Sequence, residues 1–88
     1  MAWVIKRTDT FLERFSRVST NTLIVKELGR KIKRLQEDPL HVGGGLTGSL
    51  HGKKATRIAK KCHLIFIPGE KEHIVYLVAI DHREHGYE

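Results

Sequence analysis

The sequence contains very little cysteine and no long hydrophobic segment. Cys62 is the only cysteine among the 88 residues, so no disulfide can form within the chain, and a reducing, cytoplasmic compartment is expected. The longest strongly apolar run, Ile74 to Ile80, has seven residues, whereas a membrane-spanning helix needs about 20. The N-terminal stretch MAWVIKRTDT has no apolar signal core. We therefore expect neither a membrane span nor a secretory signal.

Acidic residues are also scarce relative to basic ones. Lys and Arg number 16 against 10 Asp and Glu, which gives a formal net charge of +6. In a chain this small, such an excess favours a polyanionic partner, and nucleic acid before a membrane surface. The alternative is a basic surface that serves only solubility. Residues 1–88 are expected to form a single domain whose core leaves no room for a large enclosed pocket. An active site would therefore be a surface groove.

Glycine is concentrated in one stretch, LHVGGGLTGSLHGKK, which we tested as a phosphate-binding loop. The Gly52-Lys53 pair resembles the end of a Walker A motif. However, Thr47 occupies the position where the motif needs its first glycine, and Lys54 occupies the position of its Ser or Thr. We therefore reject the interpretation of this stretch as the phosphate-binding loop of an NTPase.

The first half of the chain predicts a strand followed by two helices. Ala2 to Arg7 has the composition of a short strand. Thr10 and Glu13 have the spacing of a capping box at the start of the first helix. Its apolar face is predicted to consist of Phe11, Leu12, Phe15 and Val18.

The second helix is predicted from about Thr22 to Gln36, ending at Asp38-Pro39. Within it, Gly29 lowers helix stability and suggests close packing against the first helix or the sheet. The apolar face comprises Ile24, Leu28, Ile32 and Leu35, and the basic residues Lys26, Arg30, Lys33 and Arg34 line the other side, with Lys31 nearby. Such a stripe is either a solvated helix face or a phosphate-binding surface.

The last third of the chain predicts three antiparallel strands. They are expected over Lys54 to Lys60, Cys62 to Ile67 and Ile74 to Ile80. Pro68-Gly69 is typical of a type II turn between the second and third strands. The third strand is apolar at every position, which predicts a central strand covered on both faces. The fold class is therefore α+β, with an N-terminal strand and a two-helix hairpin packed on an antiparallel sheet that ends in a three-strand meander.

The order of motifs in this region is distinctive as a set. LTGSLHG is followed by Arg57-Ile58, then by the run HLIF that begins at His63, then by the apolar strand IVYLVAI and the tail HREHGYE. Together with the helical hairpin and the length, this pattern resembles the RelE/ParE toxin superfamily, on the side of the RelE- and YoeB-type mRNA interferases. The resemblance covers nearly the whole chain.

The resemblance implies a toxin of a type II toxin–antitoxin pair that enters the ribosomal A site and cuts mRNA. Such enzymes use no metal or other cofactor, because the 2′-hydroxyl of the mRNA attacks the adjacent phosphorus. The implied partners are a cognate antitoxin, forming a hetero-oligomer, together with the ribosome and mRNA. The residues that match the catalytic positions are Arg57, His63, Arg83, His85 and Tyr87. RNA or phosphate binding is assigned to Lys53 and Lys54, and to the helical residues Lys26, Arg30 and Lys33.

The sequence departs from the family pattern at two positions. His63 stands where many relatives have an arginine, and Gly44 or a neighbour stands where some have an acidic residue. Histidine titrates near neutrality and arginine does not, so the identity of the catalytic base stays open.

The residue types themselves fit this chemistry. Cleavage through the 2′-hydroxyl needs a base, cations for the phosphorane oxygens and an acid for the leaving 5′-oxygen. His85 is predicted as an acid/base group, Arg83 as a phosphate-stabilising cation and Tyr87 as a stacking or proton-transfer group.

Two alternatives stay open. One is a ParE-like toxin that acts on DNA gyrase and is not a nuclease. The other is a non-catalytic nucleic-acid-binding module that uses the basic helix face.

Overall fold

The computed structural model describes residues 2–42, 44–45, 53–59 and 62–82. The described elements follow the predicted order of a strand, two helices and a meander. They are β1 (Val4–Arg7), α1 (Asp9–Ser16), α2 (Thr22–Glu37), a 3₁₀ helix (Pro39–His41), β2 (Gly44–Gly45), β3 (Lys54–Ile58), β4 (Cys62–Gly69) and β5 (Ile74–His82). The predicted α+β architecture is confirmed.

The strands form one sheet in the order β1-β5-β4-β3-β2. The three C-terminal strands are antiparallel neighbours, and β5 is an inner strand between β1 and β4, as predicted. Its predicted cover on both faces is incomplete, because Ile74, Tyr76 and Val78 are only half-buried. The sheet is nevertheless mixed, because β1 pairs parallel with the first half of β5, from Val4↔Ile74 to Arg7↔Leu77. The two-residue strand β2 was not expected within the glycine-rich stretch.

Both helices bury their apolar side chains against one face of the sheet, which we call the core face. Phe11 of α1 is 1% exposed, and Leu35 of α2 is fully buried. The strands contribute Ile58, Cys62, Leu64, Phe66, Val75, Leu77 and Ile80 to the same cluster. Trp3 also belongs to it, with its ring stacked on that of His73 at 4.5 Å. The opposite side of the sheet is called the outer face below.

The first helix begins two residues earlier than its predicted capping box. Thr8 is the N-cap, and its hydroxyl oxygen accepts a hydrogen bond from the amide of Phe11 at 3.1 Å. The same hydroxyl donates to the carbonyl of Leu77 at 2.8 Å. Thr8 therefore caps the helix and ties it to β5, which Thr10 could not do from inside the helix. Leu12, predicted to lie on the apolar face, is 48% exposed.

Two further local predictions were wrong. Pro68 and Gly69 continue β4, paired with Val75 and Ile74, and the chain reverses over residues 70–73 instead. His73 takes the left-handed conformation there, with φ of 58°. Gly29 is exposed, and a Cβ built on it would meet no atom within 4 Å, so it does not serve close packing.

Candidate functional site

Arg57 and His63 lie directly opposite each other on neighbouring strands. The β3–β4 register pairs them, and directly opposed residues in an antiparallel pair place their Cβ atoms about 4.5–5.5 Å apart. Arg57 is exposed and His63 is half-buried. The structure thus brings together a fixed cation and an imidazole that the sequence placed on separate strands.

Alternation along β4 directs His63 to the outer face. Cys62, Leu64 and Phe66 are all fully buried in the core cluster. Since successive side chains of a strand point to opposite faces, His63 and Ile65 point away from the helices. Arg57 does the same on β3, because its neighbours Thr56 and Ile58 are buried. The pair is therefore presented on the outer face.

The row continues on β5 with Asp81, which is opposite His63 on its other side. Asp81 forms an ion pair with Arg14 of α1 through its Oδ1 atom and the arginine Nη1 atom. Both side chains of the pair are partly exposed, at 42% for Arg14 and 30% for Asp81. Neither residue was predicted as a site residue from the sequence. The position of Asp81, directly after the apolar run from Ile74 to Ile80, could have indicated it.

A β-bulge in β5 creates this alignment. Phe66 pairs with Leu77 and Ile65 with Ala79, so Val78 is an extra residue without a partner on β4. The insertion shifts the register by one residue. Without it, His63 would be opposite Ile80. The bulge lies where β1 has already ended, and the Thr8 hydroxyl is 3.2 Å from the Val78 carbonyl.

The predicted tail residues Arg83, His85 and Tyr87 lie outside the described residues. The last described residue, His82, pairs with Cys62. The described part of β5 therefore ends next to the row of Arg57, His63 and Asp81.

The two lysines proposed for phosphate contact are at the other end of β3. Lys54 follows the alternation of Thr56 and Ile58 and thus points to the core face. Its ammonium donates a hydrogen bond to the carbonyl of Leu40 at 2.5 Å. This contact uses one of the three N–H donors of the ammonium and holds the side chain on the core face. Lys53 is half-buried and immediately precedes the strand.

The basic stripe on α2 lies on the opposite side of the protein from Arg57 and His63. Its proposed RNA-binding members, Lys26, Arg30 and Lys33, are all exposed. They point away from the core because the other side of α2 buries Ile24, Leu28 and Leu35. Arg30 makes one exposed ion pair, with Glu27 at 3.4 Å. The structure therefore does not unite these residues with the strand pair in one groove.

Cys62 contributes nothing reactive to the outer face. Burial, and secondarily the negative charge of Asp81, raise the pKa of its thiol above the ordinary value. It stays protonated at neutral pH and packs as a small apolar side chain.

Among residues 2–42, 44–45, 53–59 and 62–82, no group of three or more His, Cys, Asp or Glu side chains could hold a metal ion. No helix in the described ranges is long and apolar enough to cross a membrane.

Comparison with known structures shows that the chain shares its fold with several solved bacterial toxins, at 21% sequence identity or less. The toxin–antitoxin complex RelBE2 from Mycobacterium tuberculosis matches with a TM-score of 0.72 and 21% identity, over 94% of this chain and 100% of that one. A mutant of the Escherichia coli toxin RelE in the free state matches at 0.78 and 14%, over 97% and 87%. A metal-bound toxin from Helicobacter pylori matches at 0.78 and 18%, over 97% and 99%. No protein-family model and no curated protein sequence matches the chain.

Proposed function

We propose that this protein is the toxin of a type II toxin–antitoxin pair and an endoribonuclease that cuts mRNA in the ribosomal A site. The observation that carries the proposal is the cross-strand pair of Arg57 and His63 on the outer face of a RelE-type sheet. A guanidinium and an imidazole held side by side are suited to cleavage of a phosphodiester without a metal ion.

In this reaction the 2′-hydroxyl oxygen attacks the adjacent phosphorus and the bond to the 5′-oxygen breaks. Arg57 binds the non-bridging oxygens, whose negative charge grows in the transition state. His63 transfers a proton, either from the attacking hydroxyl or to the leaving oxygen. The products are a 2′,3′-cyclic phosphate and a free 5′-hydroxyl. The tail residues Arg83, His85 and Tyr87 are proposed to complete the site, with a second cation, a second proton-transfer group and a stacking ring.

The ribosome is proposed as a necessary partner because the outer face is open. The Arg57 side chain is exposed, and the small domain offers little surface that could hold an RNA strand in line for attack. A ribosome would supply that orientation. An antitoxin is the second proposed partner, in keeping with the toxin–antitoxin complex of the RelBE2 structure. Because the toxin carries a net charge of +6, an antitoxin with an acidic segment would be electrostatically complementary to it.

The test is expression in bacteria, with mapping of mRNA 5′ ends in translating extracts. We expect growth arrest and new ends within ribosome-bound codons. Arg57→Ala and His63→Ala should each lower cleavage by about 10²-fold or more. The matched control is Lys71→Ala. Like Arg57→Ala, it removes one exposed positive charge, but Lys71 lies in the β4–β5 turn.

Three outcomes would contradict the proposal. Arrest without new mRNA ends, accompanied by a loss of DNA supercoiling, would indicate a gyrase-directed toxin. RNA binding that depends on Lys26, Arg30 and Lys33 but not on Arg57 or His63 would indicate a non-catalytic binding module. Full cleavage by both strand variants would reject this pair as the site.

A further inference from the structure

Asp81 and Arg14 are not used by the proposed chemistry, yet they complete the row that contains its central residues. Three neighbouring strands place Arg57, His63 and Asp81 side by side. Arg14 of α1 forms an ion pair with the carboxylate of Asp81. His63 therefore has a cation opposite it on one strand and a carboxylate opposite it on the other.

We propose that Asp81 is a positioning residue that acts through His63 by setting its protonation, and that Arg14 limits how strongly it does so. The proposal deepens the function proposed above and assigns no contact with substrate to either residue. The effect of Asp81 on catalysis depends on that function, whereas its effect on the protonation of His63 does not.

The physical basis is the charge balance around one imidazole. A carboxylate near a histidine favours the charged imidazolium over the neutral ring. Within the described ranges, the charged groups registered against His63 are Arg57 on β3 and Asp81 on β5, with Arg14 of α1 behind Asp81. Arg57 opposes protonation, Asp81 favours it, and Arg14 offsets part of the Asp81 charge.

A purely structural role explains the arrangement less well. Partly exposed ion pairs contribute little to stability, and this pair is 42% and 30% exposed. Its position depends on the bulge at Val78, which brings Asp81 opposite His63 in place of Ile80. Bulges commonly redirect a side chain next to a functional site.

The test is an NMR titration of the His63 ring in the free protein, assigned with His63→Gln. Asp81→Asn removes the negative charge, so the pH midpoint of the His63 titration should fall by roughly one unit. Arg14→Gln removes the compensating cation, so the midpoint should rise, by a smaller amount. Asp81→Glu keeps the charge and should restore a midpoint close to that of the unmodified protein.

An internal control is available in the same spectra. His73 lies in the turn before the other end of β5, stacked on Trp3, and its ring signals at a fixed pH should be the same in both variants. Opposite shifts of His63 in Asp81→Asn and Arg14→Gln would support the inference, even if the protein cut no RNA and the proposed function failed. Unchanged midpoints, or shifts of the same sign in both variants, would overturn it and leave the ion pair as a structural link.

If the proposed function holds, the pH profile of cleavage supplies a second readout. Its His63-dependent limb should move towards lower pH in Asp81→Asn and towards higher pH in Arg14→Gln. A uniform loss of rate at all pH values in both variants, with no movement of that limb, would contradict the proposed role.

Discussion

Replacing Gly29 with alanine should stabilise the protein. Gly29 lies in the interior of α2, where glycine costs about 0.8–1.0 kcal/mol relative to alanine. Apart from its chain neighbours and the backbone of its own helix, the added methyl group meets no atom within 4 Å, so no steric cost offsets the gain in helix propensity. The free energy of unfolding should therefore rise by nearly the whole of that difference.

For a domain of this length, 1 kcal/mol corresponds to a shift in Tm of about 4–8 °C. Thermal unfolding followed by circular dichroism should accordingly show a Tm that is higher by about 3–8 °C in Gly29→Ala. An unchanged or lower Tm would refute the reasoning, because it would mean that Gly29 is not in a regular, exposed helical position.

Gly69 provides the matched control for this experiment. A Cβ there would lie 3.1 Å from the carbonyl oxygen of Ile74 and 3.2 Å from Cε2 of Tyr76. Both contacts are tight, and one is with backbone, so Gly69→Ala should destabilise the protein by about 1 kcal/mol or more. The same substitution should thus change Tm in opposite directions at the two glycines.

Two further predictions concern the core. In urea unfolding, Leu35→Ala should lower the free energy of unfolding by about 2–5 kcal/mol, because Leu35 is fully buried. Leu12→Ala, at a 48% exposed position, should lower it by less than about 1 kcal/mol. Equal losses would contradict the assigned helix faces. Burial raises the pKa of Cys62, so the stability it contributes is present below the ordinary thiol pKa of about 8.5 and is lost as pH rises through the folded-state value. The unmodified protein should therefore lose stability relative to Cys62→Ala as the pH rises above about 8.5. A difference in the free energy of unfolding that stays constant with pH would contradict this.

Much of the fold could be predicted because the hydrophobic periodicity of the long elements is unambiguous. The apolar positions of α2 recur on one helical face, and Ile24, Leu28 and Leu35 are buried as predicted. Alternation along a strand that begins at Cys62, as predicted, puts Cys62, Leu64 and Phe66 on one side, and all three are fully buried. In both cases the local pattern alone determines which side of the element is covered.

The alignment of the site could not be predicted, because it depends on a single extra residue. The run from Ile74 to Ile80 is apolar throughout, so its pattern does not reveal which residue bulges. The bulge at Val78 decides that Asp81 faces His63. Thr8, which contacts the carbonyls at that point, is distant in sequence. The choice of Thr8 over Thr10 as the helix cap depends on the same long-range contact.

The most direct test of the account is the chemistry of the cut itself. An mRNA carrying one 2′-deoxynucleotide on the 5′ side of the mapped cleavage position should be offered to the protein on purified ribosomes, beside the unmodified mRNA. The account predicts a 2′,3′-cyclic phosphate on the upstream fragment of the unmodified mRNA and no cut at the deoxynucleotide. Cleavage at the deoxynucleotide, or an upstream fragment that ends in a 3′-hydroxyl, would contradict it.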